Sequence, residues 1–483
     1  MSAQLPGPGA SVAERISSLL VGMDVHALPA AVRDVARRDL IDVTGLCMAA
    51  RHNDYVRSTL DGFAEQGRCT AIAHSGGVSA ATAAATNGTA AHGEDYDDTL
   101  EGTPNHVGAV VIPAVLAACK AENRSGIDAA RGIIGGMEIM VRMARVVPGG
   151  FHKACFHPTA ITGTFGATLG VGLALQLSPG QLTHALGLAG SLCSGTIEYL
   201  AEGTWSKRLH AGWAAQSGIR AALLARAGFT GPRTIFEGEH NVFRAFSPSL
   251  TPKLELLTEG LGGSWIIEGI AFKLYACGTM IHPYIDCAIA QAERSVAADD
   301  IVSIECRTAE AIVHRLWEPL AAKQRPLNGY AGKFSVPYSM AAGFFDGAAG
   351  FGQYTNERVR DEQLLAFASK VSYQVDPNDP YPQSYTGEAR VTLRNGESLY
   401  FEQPHFRGGI HEPLSDADLE RKFADNLRYG DISEVVADGA LAHCQQVLAS
   451  DAPASRNANG LAHLEPGART RYGYTQPRIA LMA

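Results

Sequence analysis

The chain has 483 residues, a net charge of −9 and 46% hydrophobic residues, with a mean hydropathy of −0.02. That length exceeds one ordinary core and predicts roughly two to four domains. The acidic balance argues against nucleic acid as a partner, and no long apolar run free of charge or glycine argues for a membrane span.

Nine cysteines occur without a CxxC pair, so zinc-finger and ferredoxin spacings are missing and buried thiols are expected rather than disulfides. Residues 1–10 lack the basic and apolar regions of a secretory signal, which makes the cytoplasm the expected compartment. No 20- to 50-residue period marks a repeat protein.

In chain order, Ser11 and Glu14 form a capping-box pattern before a helix over 12–23. Pro29 opens an amphipathic helix to Met48, and 54–66 reads as another. Residues 69–74 read as extended. An Ala- and Thr-rich helix over 79–98 ends in an acidic stretch, Glu94-Asp-Tyr-Asp-Asp98. If that helix continues to its end, His92, Asp95 and Thr99 share one face and Asp97 points elsewhere. A solvated helix terminus accounts for the same residues.

Helices over 107–122 and 126–146 follow, then a turn-rich loop ending at His157-Pro158. Further helices are expected over 159–177, 178–194 and 205–227. After Phe272 the character changes. Strands are expected over 301–307, 371–375 and in a hairpin over 387–401 around Asn395-Gly396, with a helix over 334–345. Helices resume from Ser415 to Leu448, and 451–483 reads as an arm or tail. The expected fold is mainly α: a large all-α helical domain (1–268 and 409–483) with an inserted, smaller α+β lid domain (269–408). A cleft between the two is the default ligand site.

Four polar islands stand in apolar surroundings: His92/Asp95/Thr99/His106, then His157, then Lys207/Arg208/His210, then Lys273 to His282. Each has a structural reading: His157 as a hydrogen-bonding residue before proline, Lys207 and Arg208 as solvent-exposed, Lys273 as partly buried packing, His282 as a turn cap. Cations at a helix start oppose its dipole unless an anion binds there. His92, Asp95 and His106 offer metal-ligand types, but no HExxH is present and no metal is expected. GxGxxG, Walker and GxSxG patterns are also missing, so no cofactor is expected. What remains is general acid–base chemistry by His, Lys, Asp and Tyr with cationic help, suited to removing a proton beside a carboxylate.

Several motifs occur together and in order. They are Asn87-Gly-Thr-Ala-Ala-His-Gly-Glu-Asp-Tyr-Asp-Asp-Thr99, Phe156-His-Pro-Thr159, Gly203-Thr-Trp-Ser-Lys-Arg-Leu-His-Ala-Gly212, Gly228-Phe-Thr-Gly-Pro232 with Phe236-Glu-Gly238, and Phe272-Lys-Leu-Tyr-Ala-Cys-Gly-Thr-Met-Ile-His-Pro-Tyr-Ile-Asp286. Over residues 10–445 the chain resembles the MmgE/PrpD family. That family includes 2-methylcitrate dehydratases, cis-aconitate decarboxylases and iminodisuccinate epimerases. The resemblance implies a helical domain with a smaller lid, a homodimer, and metal-free chemistry on a small anionic carboxylate.

By motif, Asp95, Thr99, His106, His157, Lys207, Lys273 and Tyr338 would line the cleft, with Arg208, His210 and His282 as further substrate contacts. His157 or His106 would be the base, the other assisting the leaving hydroxyl. Lys207 and Lys273 would hold carboxylates, and Asp95 would orient a His or Lys. His92 and Asp97 would be structural. Two departures stand out. Many relatives have His-Pro where this chain reads Thr103-Pro-Asn-His106, and the decarboxylase branch has a His where this chain has Gly278. Dehydration of a 2-methylcitrate-like acid is therefore the expected reaction. Epimerisation of an iminodisuccinate-like acid and cis-aconitate-type decarboxylation are the alternatives, and a carboxylate binder without turnover is the non-enzyme reading.

Overall fold

A computed structural model describes residues 9–103 and 105–454. The beginning of the chain, Pro104 and the tail beyond Ala454 lie outside the described residues, and with them most of the expected arm over 451–483. The described protein is mainly α, and no helix in it is long and apolar enough to cross a membrane.

The predicted capping box is formed. Ser11 Oγ accepts from the Glu14 amide at 3.2 Å, and Glu14 Oε2 accepts from the Ser11 amide at 2.7 Å, starting the helix Val12–Val21. The helix Pro158–Ala174 is buried along its whole length. It tolerates threonines there because their hydroxyls bond back along the helix: Thr162 to Pro158 O, Thr164 to Ala160 O and Thr168 to Thr164 O, at 2.6–3.0 Å. Its glycines let the helix Gly126–Val146 approach to backbone contact. A Cβ on Gly166 would stand 2.8 Å from Gly136 O, and one on Gly136 would stand 2.6 Å from Gly166 O. A second close crossing joins Ala80–His92 to Ser206–Arg226, where a Cβ on Gly212 would lie 2.1 Å from Ala85 O. This crossing sets His92 beside Lys207 and His210.

The strands of the larger sheet all come from 301–403. In spatial order they are Val371–Val375, Ile301–Thr308, Gly387–Leu393 and Ser398–Gln403, the first pair parallel and the others antiparallel. The hairpin turns at Asn395-Gly396, with Gly396 at φ 87°. Helices His282–Glu293 and Val336–Asp346 pack together beside this sheet. The helix Asp416–Tyr429 then returns to Ala30–Ala50, where Phe423 lies against Gly45. All nine cysteines are unpaired, and only Cys155 is exposed.

The acidic stretch departs from its expected form. The helix Ala80–His92 stops at His92, and Asp95 adopts a left-handed φ of 56°. Thr99–Leu100 is a short strand antiparallel to Ile270–Ala271. His92, Asp95 and Thr99 therefore do not share a helical face. The segment 69–74 also differs, because the strand there is Gln66–Cys69 and a turn follows.

Candidate active site

The site is built around the turn after His92. Asp97 is fully buried between two imidazoles: its Oδ2 is 2.7 Å from His92 Nδ1 and its Oδ1 is 3.3 Å from His106 Nδ1. His106 Nδ1 also lies 2.8 Å from the Asp98 carbonyl. A carbonyl only accepts, so His106 Nδ1 carries a proton and its Nε2 presents a lone pair when the ring is neutral. The Asp98 carboxylate accepts from the amides of Val107 and Gly108, both at 2.9 Å, and so anchors the start of the helix Gly108–Ala121 just past His106.

His157 immediately precedes the helix Pro158–Ala174. Its ring is stacked on His92 at 5.5 Å between centroids, and its Nδ1 is 3.2 Å from His210 Nδ1. Its Nε2, like that of His106, has no protein hydrogen-bonding partner among the described residues. Four buried rings thus converge. Burial pushes His92 and His210 down to about 4. Burial, reinforced by the neighbouring His92, holds His157 well below the usual histidine range. His157 is therefore a neutral base at ordinary pH.

Beside the rings stands a cationic wall. Asp95 Oδ1 meets Lys207 Nζ at 3.0 Å and Lys273 Nζ at 3.1 Å. Burial raises the Asp95 carboxyl, but the two ammoniums outweigh it and hold the group well below the usual carboxylate range. Burial likewise lowers Lys207, and Asp95 more than offsets it, so the lysine stays charged. Among the described residues Lys207 makes one hydrogen bond and its side chain is 12% exposed, whereas Lys273 is 1% exposed and bonds both Asp95 O and Oδ1. Lys207 is thus the ammonium with donors to spare for a ligand.

Glu94 pairs with Lys333 at 3.1 Å and Arg208 at 3.6 Å. Arg208 is itself sandwiched between the rings of Tyr55 and Tyr330. Four cations (Lys207, Lys273, Arg208, Lys333) pair with two carboxylates (Asp95, Glu94), an arrangement that favours an anionic ligand. A surface groove of about 330 Å³ lined by Tyr55, Phe63, Trp205 and Leu209 adjoins this wall through Arg208.

The structure brings together Asp95, His106, His157, Lys207, Lys273, Arg208 and His210. His210 contacts His157, and Arg208 is held by Glu94 and two rings, so both stand behind the groups expected to meet substrate. Thr99 is buried opposite Ala271, two residues before Lys273. His282 is fully buried between Tyr275 and Phe406, each 5.1 Å from its ring. Tyr338 donates its hydroxyl to Gln353 O at 2.5 Å. Sequence reasoning left out Glu94 and Lys333 and assigned His92 and Asp97 structural roles, although both touch the ring system. Lys333 carries a usable signal, an isolated lysine beside an aromatic residue (Phe334), as Lys273 is beside Phe272.

Among the described residues His92, Asp97 and His106 are close enough to share a metal ion, their donor atoms within 4.8 Å of one another. As arranged, Nδ1 of both rings is directed at oxygen as N–H, which is the geometry of a hydrogen-bonded triad.

Fold and site define a mainly helical protein with a buried imidazole centre flanked by ammonium groups. The chain belongs to the MmgE/PrpD family: the N-terminal domain of that family matches residues 14–255 and the C-terminal domain residues 275–444. Among curated proteins it is similar to a cis-aconitate decarboxylase of Homo sapiens, 28% identical over 71% of this chain and 72% of that one. It is also similar to a cis-aconitate decarboxylase of Aspergillus terreus, 26% identical over 79% and 83%. A cis-aconitate decarboxylase-like protein, oryM, of Aspergillus oryzae is 23% identical over 86% and 90%.

Proposed function

We propose that this protein is a lyase acting on a small polycarboxylate, and that the reaction is decarboxylation of a cis-aconitate-like tricarboxylate. The observation that carries the reading is the placement of Lys207, with donors to spare, beside two imidazoles whose Nε2 atoms have no partner among the described residues. The named relatives move the reading from the dehydration expected above to decarboxylation.

In this reaction the bond to one carboxylate breaks and leaves as CO2. Its electron pair forms a new C=C bond while the original double bond shifts. The carbanionic carbon takes a proton from an imidazolium. Lys207 holds a retained carboxylate and stabilises the charge that develops on it. His106, with Asp97 behind its ring, gives its proton to that carbon, and a proton from water restores the ring by way of neutral His157.

Dehydration is the second reading, and Gly278 favours it, because the histidine of the decarboxylase branch is missing there. A Cβ at Gly278 would meet its nearest neighbours at 3.7 Å, so the position has room for a side chain that this chain lacks. Epimerisation would use the same base and acid on opposite faces.

Asp95, His106, His157 and Lys273 are buried and Lys207 is only slightly exposed, so substrate entry requires an opening. We place that opening between the helical part (1–268 and 409–483) and an inserted lid (269–408) that carries Lys273 and Lys333. A homodimer is the proposed assembly. Leu200, Trp205, Trp213, Leu224 and Phe229, each at least 38% exposed and all on or beside the helix Ser206–Arg226, supply apolar area for a second copy. Unpaired cysteines fit a cytoplasmic location.

Proton NMR of the purified protein with cis-aconitate, 2-methylcitrate, citrate and iminodisuccinate in deuterated water separates the readings. Decarboxylation yields a dicarboxylate one carbon shorter, with deuterium at the protonated carbon. Consumption of 2-methylcitrate alone would establish the dehydratase reading. Failure to turn over or exchange any of the four would overturn the proposal.

A further inference from the structure

The turn that carries Asp95 is held by groups the proposed chemistry does not use. A helix C-terminus leaves carbonyls without intrahelical partners and carries partial negative charge. After His92, three successive carbonyls each accept from a different ammonium. Lys333 Nζ reaches Glu94 O at 3.0 Å, Lys273 Nζ reaches Asp95 O at 2.9 Å, and Lys422 Nζ reaches Tyr96 O at 2.8 Å. All three lysines are buried, at 1%, 1% and 4% exposure. They come from three distant places: the segment after the strand Ile270–Ala271, the end of the short helix Gly329–Gly332, and the helix Asp416–Tyr429.

Burying an ammonium is costly unless it is fully paired, and a single glycine or asparagine is the ordinary way to close a helix. Three ammoniums on one turn therefore serve more than capping. Lys333 spends its three N–H groups on Glu94 O, Glu94 Oε2 and Ala276 O. Lys422 is spent on Tyr96 O and on Asp42 Oδ1 at 2.6 Å. Neither ammonium is placed to take a substrate carboxylate. What both fix is a backbone, and that backbone presents Asp95 to Lys207 on one side and Asp97 to His92 and His106 on the other.

We propose that Lys333 and Lys422 are positioning residues for the reaction. Together with Lys273 they clamp the carbonyls of Glu94, Asp95 and Tyr96, so that Asp95 stays against Lys207 and Asp97 stays between the two rings. The activity arm of the test rests on the function proposed above; the structural arm does not.

The full-length chain is compared with Lys333→Met, and with the pair Lys422→Met/Asp42→Asn, which avoids leaving a buried carboxylate unpaired. Hydrogen–deuterium exchange is followed peptide by peptide. The clamp predicts about tenfold faster exchange over 93–99, with the helices Ala30–Ala50 and Pro158–Ala174 unchanged. In the activity arm, Lys333→Met lowers kcat/KM about 100-fold in the native background, the scale of a roughly 1 Å misplacement. In an Asp95→Ala/Asp97→Asn background the same change costs less than about threefold, because both carboxylates being positioned are already gone. Unchanged exchange over 93–99 in Lys333→Met would overturn the clamp. So would an equal loss of kcat/KM with and without the two aspartates, since a merely structural lysine gives additive losses. If no substrate is turned over, the exchange arm decides alone.

Discussion

His106 and His157 differ in what stands behind the ring. His106 is backed by a backbone carbonyl and a buried carboxylate, which fix its tautomer. His157 is backed by another imidazole, and burial keeps it neutral. Activity that needs neutral His157 is lost only as pH falls through its depressed value. The acid limb of a kcat/KM profile should accordingly lie below pH 6.5; an acid limb centred at or above 6.5 would exclude His157 as the neutral partner. Asp97→Asn keeps the shape but removes the charge that supports both neighbouring rings, and kcat/KM should fall about 100-fold. Steady-state kinetics on a variant with an unchanged thermal midpoint checks this. These roles were only partly legible in the sequence. His157 before proline, and Lys207 and Lys273 in apolar frames, could be picked out by type and setting. Asp97 was set aside because a continuous helix would have turned it away from His92, and that helix does not continue.

At the scale of elements, the site depends on the crossing of Ala80–His92 with Ser206–Arg226. Gly212 sits against Ala85 O and the Thr89 hydroxyl. Gly212→Ala should force the helices apart and cost about 1–3 kcal/mol of stability. Kinetic losses should exceed what the stability change explains, because Lys207 rides on one helix and the turn that carries Asp95 follows the other. Urea denaturation and kcat/KM on the same variant test the point, and a stability loss with native kcat/KM would contradict it. Capping boxes, the Asn395-Gly396 hairpin and most helices could be read from local chemistry, since their signals lie within a few residues. The end of the helix at His92 could not. The Ala-rich composition favours continuing it, whereas the left-handed Asp95 is stabilised by lysines from residues 273, 333 and 422. Lys422 was legible in one respect: it shares the buried face of its helix with Leu419, Phe423, Asn426 and Leu427, so it occupies a core position.

Across the whole molecule, the buried histidines tie stability to pH. His92 and His210, pushed down to about 4 by burial, contribute stability that is complete above the ordinary value of 6.5 and lost as pH falls through about 4. Asp98 acts oppositely. Burial, then Asp97, pushes it up to about 7, so its contribution is complete below the ordinary 3.8 and lost as pH rises through 7. In thermal unfolding between pH 6.5 and 4, His210→Gln should flatten the loss of stability by on the order of 3 kcal/mol. Asp98→Asn should make that loss steeper. Parallel slopes for the two variants and the native chain would contradict the assignment.

The most direct measurement of the central claim is CO2 release from cis-aconitate at pH 7 by the native chain and by Lys207→Met and His157→Gln. The account predicts release by the native chain, matched by an equal amount of the shortened dicarboxylate, and a loss of about 100-fold or more in each variant. No release by a folded native chain, or release unchanged in both variants, would contradict it.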